Sequence, residues 1–118
     1  MDYIKLRKDI MDIDPKIRFV TIIDMEGRLM AGGQREGVSN YLSPEEEQQS
    51  IRHAIETWKL RIHFTSSIGK GKYVLAEYEK IKRITIPIDD KHVIYMTSEV
   101  SADHSSIIAN IQKLIAAA

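Results

Sequence analysis

Gly32-Gly33-Gln34-Arg35-Glu36-Gly37-Val38-Ser39 has the glycine spacing of a phosphate-binding loop, where backbone amides and a lysine cradle the phosphates. Val38 stands where that lysine is required, and the next helix opens about six residues too late for its amides to reach a phosphate. Read this way, the stretch is the start of a connecting loop, Gln34 to Leu42. Ser66 to Lys72 also holds glycine and lysine, but it follows a helix and precedes a strand, the reverse of the required order. It is a helix stop. Asp103-His104-Ser105-Ser106 has the residue types of a hydrolytic triad, but helical neighbours point apart and a triad is assembled in space. A helix start is the plainer reading. His53, His63, His92 and His104 fall on three elements, and His53 and His63 are ten apart on one helix. Metal-binding pairs on a helix need a four-residue spacing. The chain has no cysteine, which excludes thiolate zinc sites, disulfides and cysteine nucleophiles. Neither a cofactor nor catalysis is expected, because no base, nucleophile or metal clamp is visible within mutual reach.

Composition points the same way. Lysine plus arginine and aspartate plus glutamate balance at 17 each, so the chain has no general attraction to nucleic acid or an anionic membrane. The basic cluster Lys80, Lys82 and Arg83 is offset by Glu77 and Glu79 and reads as a solvated strand edge. Hydrophobic residues make up 43% of 118 residues, enough for one domain, 1–118, with its own core. Charges are woven through Met1 to Lys8, so this segment is neither a secretion signal nor a membrane span, and a cytoplasmic location is expected.

The elements that would position these residues follow from periodicity. Tyr3, Leu6, Ile10 and Ile13 recur at helical spacing, and Asp14-Pro15 ends the helix. Ile17 to Asp24 is apolar on both alternating faces, as in a central strand. Asp24-Met25-Glu26-Gly27 turns the chain into a short returning strand, Arg28 to Gly33. Ser43-Pro44-Glu45-Glu46 is a capping box that opens a helix running to Ser66, ~34 Å long at 1.5 Å per residue. Three strands follow, Lys72 to Glu79, Lys82 to Ile88 and His92 to Ser98. The isoleucine-rich stripe from Ile107 to Ile115 is a final amphipathic helix, capped by Ser101 or Asp103.

On the long helix, Ile51, Ala54, Ile55, Trp58 and Ile62 share one narrow stripe, with Trp58 buried against the sheet. Leu60 and Phe64 fall on roughly the opposite side, a placement that points to contact with another surface.

This order, the Asp24 to Gly33 hairpin and the single long helix from Ser43 resemble the Roadblock (dynein light chain) domain, a relative of the longin and profilin-like folds. The resemblance covers essentially the whole chain. FVTIIDMEGRLMAGG and KYVLAEYEK also resemble stretches of small uncharacterised archaeal proteins. The Roadblock resemblance implies an α+β domain. Its five-stranded antiparallel sheet carries the long helix on one face and the terminal helices on the other. It also implies dimers that scaffold or regulate small Ras-like GTPases. The alternative is a PAS-type small-molecule sensor, which shares two strands, helices, then three strands, but usually has several short helices where this chain has one long one.

In the Roadblock-like arrangement Lys72 to Glu79 lies at a sheet edge. An edge of eight residues without proline or glycine calls for a partner, and a twofold copy of the chain is the simplest closed solution. The expected homodimer interface is therefore Tyr73, Val74, Leu75 and Ala76 on that strand, with Leu60 and Phe64 on the helix.

Overall fold

The computed structural model describes residues 1–118, with helix α1 at Tyr3–Met11, strands β1 at Ile17–Asp24 and β2 at Leu29–Gln34, and helix α2 at Pro44–Ile62. A single turn, α3, spans Thr65–Ile68. Strands β3 (Val74–Glu77), β4 (Ile81–Pro87) and β5 (His92–Glu99) follow, and helix α4 covers His104–Ala117. The strands form one antiparallel sheet in the order β2-β1-β5-β4-β3. This is the Roadblock-like, profilin-like α+β architecture.

β1 and β5 lie at the centre because their side chains can be buried on both faces. Register pairs Val20 with Met96 and Ile22 with Ile94. The faces then separate by alternation. Ile22, Ile84, Ile86, Ile94 and Met96 meet Leu6 and Ile10 of α1 and Ile107 and Ile111 of α4. Phe19, Ile23, Val93 and Tyr95 point the other way, onto Ala54, Ile55 and Trp58 of α2.

Local chemistry sets the boundaries. Gly27 takes φ +84° in the β1–β2 turn, where Asp24 accepts bonds from the amides of Glu26 and Arg28. The Ser43 capping box closes as expected, with Ser43 Oγ accepting from the Glu46 amide and Glu46 Oε1 from the Ser43 amide. Asp103 caps α4 by accepting from the Ser106 amide.

Several boundaries and placements differ from the sequence reading. β2 runs Leu29–Gln34 rather than Arg28 to Gly33, so Gln34 belongs to the strand and not to the loop. A Cβ on Gly32 would run into the Thr21 hydroxyl, so close strand packing accounts for that glycine. α2 stops at Ile62, four residues before Ser66, because Ile62-His63-Phe64-Thr65 is a run of weak helix formers. Its 19 residues span ~28 Å. Within the expected stripe, Ala54, Ile55 and Trp58 are buried, Ile51 is half-buried and Ile62 is 48% exposed. Ile62 lines an open cleft of about 470 Å³ beside Trp58, Pro87 and Ile88, past the covered part of the sheet.

β3 is four residues long rather than eight. Its register pairs Val74 with Thr85, which sets Pro87 opposite position 72, and proline has no N–H to extend the ladder. At the other end the Tyr78 amide bonds the Ile81 carbonyl and turns the chain. The shorter of the two edges is therefore β3, not β2.

Candidate interaction surface

The six residues expected at an interface lie along one stretch of chain. Val74, Leu75 and Ala76 form most of β3, which pairs only with β4 and leaves its outer edge without a strand neighbour. All three are half-buried: Val74 packs on the α2 side of the sheet and Leu75 on the side of the terminal helices. Tyr73 lies just outside the strand and is exposed. Leu60 is 59% exposed and Phe64 50% exposed, on the last turn of α2 and just beyond it. The segment entering β3 passes close to α2, since a Cβ on Gly71 would lie 3.2 Å from the Trp58 ring.

Three further apolar side chains join this stretch. Ile62, Ile68 and Tyr78 are exposed, Ile68 at 83%. Six of the eleven exposed large apolar residues thus fall between positions 60 and 78. Periodicity gave no sign of Ile68, which lies beyond the helix break, and it misassigned Ile62 to the core.

Beside this surface, Arg83 projects from β4 towards α2. Its Nη1 donates to Ser50 Oγ at 3.0 Å, and Nη2 lies 3.4 Å from His53 Nδ1. Ser50 Oγ and the Tyr95 hydroxyl are 2.7 Å apart. Burial pushes the Tyr95 hydroxyl above its ordinary pKa, against the opposing pull of Ser50 and Arg83. Burial likewise raises Glu47, which accepts a bond from the Asn40 amide.

Lys82 is not the solvated residue its neighbours suggested. Alternation in β4 turns it, with Ile84 and Ile86, to the terminal-helix face, where it is buried. Its Nζ donates to the Ala102 carbonyl at 2.9 Å and lies 2.9 Å from His104 Nδ1, with Glu77 at 3.9 Å. Arg35, from the glycine-spaced stretch, is a fastener. Its guanidinium donates to the carbonyls of Met11, Asp14 and Ile17 at 2.7, 2.9 and 2.7 Å, tying the end of α1 to β1.

No group of three or more acidic or histidine side chains is placed to hold a metal ion. No helix is long and apolar enough to cross a membrane.

Solved structures share this architecture at low identity. A Roadblock/LC7 domain from Streptomyces avermitilis matches with a TM-score of 0.72 at 12% identity, covering 99% of this chain and 92% of that one. The gliding protein MglB from Thermus thermophilus gives 0.73 at 9%, covering 94% and 80%. Profilin IA from Acanthamoeba castellanii gives 0.58 at 10%, covering 98% and 94%. At such identities the likeness establishes the fold. No curated protein matches the sequence. Residues 2–115 match DUF6659, a family of unknown function, and the chain belongs to that family.

Proposed function

We propose that this chain is a single Roadblock-like domain that works as a non-enzymatic interaction module. It forms a homodimer through the β3 edge and the outer face of α2, and the dimer scaffolds or regulates a partner protein such as a small Ras-like GTPase. The observation that carries the reading is the concentration of exposed apolar side chains between Leu60 and Tyr78, next to an unpaired strand edge. A surface of this kind is kept from water by another protein surface. The Roadblock-like fold supports the choice, because the resemblance implies dimers that serve GTPases.

The test is light scattering after gel filtration, on wild type and on a Leu60→Glu, Phe64→Glu double variant. Wild type should run near twice 13.5 kDa at micromolar concentration, and the variant near 13.5 kDa with unchanged circular dichroism. A monomeric wild type, or a variant that stays dimeric, refutes the interface.

A further inference from the structure

Between α2 and the β3–β4 turn runs an open groove of about 680 Å³. That lies within the roughly 300–1,000 Å³ of small-molecule sites. Every residue that builds it comes from one chain.

Arg83 is the anchor. It takes part in none of the ion pairs of the molecule. Its hydrogen-bond partners are the Ser50 hydroxyl and the His53 ring, and Ser50 is itself held by Tyr95. A guanidinium keeps its proton at any physiological pH, and a half-buried one ordinarily meets a carboxylate. Here the surrounding side chains fix the direction of the fork without neutralising it.

The apolar walls are two rings, Tyr41 and Tyr78, and two aliphatic side chains, Leu42 and Ile81. Arg18 and Lys80 stand over the Tyr41 ring at 4.6 and 5.5 Å from its centroid, which fixes that wall and adds cationic charge near the rim. Two carboxylates, Glu46 and Glu79, also line the groove, and Glu46 is engaged in the capping box. One planar fork with acidic neighbours suits a single carboxylate, which takes two parallel N–H bonds. Lys80 is a second cation on the groove, but Glu46 and Glu79 offset it, which leaves too little net positive charge for a phosphate dianion.

We propose that this groove binds a small aromatic carboxylate. Its carboxylate pairs with Arg83 and its ring lies against Tyr41 and Tyr78.

The experiment is a titration of ¹⁵N-labelled protein followed by NMR. The probes are benzoate, 1-naphthoate and indole-3-acetate, with 1-naphthamide as the uncharged control. The expected result is saturable shifts at Ser50, His53, Tyr78 and Ile81 with at least one acid, and weaker or no shifts with the amide. Arg83→Gln should weaken binding at least about tenfold, the loss of a charge-assisted hydrogen bond. Arg83→Lys keeps the charge without the fork and should fall between the two. Both variants are read only after their amide spectra show the native fold. The monomeric Leu60→Glu, Phe64→Glu variant keeps every residue of the groove and should bind at least as tightly as wild type, since Tyr78 belongs to both surfaces. Saturable shifts with none of the acids at millimolar concentration would overturn the proposal. So would shifts outside the groove, equal affinity for the amide, or undiminished binding by Arg83→Gln.

Discussion

Trp58→Ala tests how α2 is docked on the sheet. The indole is 5% exposed and packs among Phe19, Ile23, Val93 and Tyr95. An indole buries about 200 Å², and at about 25 cal/mol per Å² its removal forfeits at most ~5 kcal/mol. Aromatic truncations in cores cost about 3–5 kcal/mol. The cleft beside Trp58, lined by Ile62 and Pro87, already opens to solvent, so part of the space left by the ring would fill with water. That places the expected loss at the lower end, about 3 kcal/mol. Against a total stability of about 5–15 kcal/mol the variant should fold but unfold at markedly lower urea. Far-UV circular dichroism reads the transition without depending on the missing fluorophore. Leu60→Ala, on the same helix but exposed, is the control and should change stability by less than about 0.5 kcal/mol. If Trp58→Ala costs under about 1 kcal/mol, or no more than Leu60→Ala, α2 docks through some other face and this account of the core fails.

Two further outcomes follow from the fasteners. Arg35→Ala removes three carbonyl contacts and should cost about 2–3 kcal/mol in urea unfolding, with Arg35→Lys recovering less than half because it lacks the fork. Asp24 governs an acid limb. Burial pushes its carboxyl up, but the amides of Arg28 and Glu26 and the Arg28 guanidinium outweigh this and hold it below the ordinary 3.8. The unfolded chain therefore takes up this proton more readily than the folded one. The contribution is complete above the ordinary carboxylate range and drains away as pH falls through the lower folded value. Asp24→Asn should flatten the stability profile below about pH 4, and a profile as steep as wild type would contradict the assignment.

The sequence reading succeeded where the controlling interaction is local. β1 was bounded correctly because Ile17 to Asp24 is apolar on both faces and ends in turn chemistry. The Ser43 box signals its helix within four residues, and helical geometry was enough to place Leu60 and Phe64 away from the sheet. It failed where a distant residue decides. Tyr73-Val74-Leu75-Ala76 suits a strand by composition, yet its paired length is set by Pro87 across the ladder. Periodicity assigned Ile62 to the core because it cannot report where the sheet beneath a helix ends. Lys82 was misplaced although a signal existed, since alternation in Lys82-Arg83-Ile84-Thr85-Ile86 sets it on the face of two isoleucines. Arg35 and Arg83 do their work through partners far along the chain, beyond the reach of any local pattern.

The brevity of β3 changes which part of the proposed interface supplies its free energy. Two copies of a four-residue strand in antiparallel register exchange about four hydrogen bonds, each worth about 0.5–1.5 kcal/mol net. That sum, about 2–6 kcal/mol, falls near or below the roughly 4–15 kcal/mol that association costs. Strand pairing alone therefore cannot hold a micromolar dimer. What remains must come from apolar area, and Leu60, Phe64, Ile68 and Tyr78 each have half or more of their surface still to bury. The strand would set the register of the twofold and the helix face its strength. The decisive substitutions are then at Leu60 and Phe64, whereas a proline in β3 should misalign the dimer more than dissociate it.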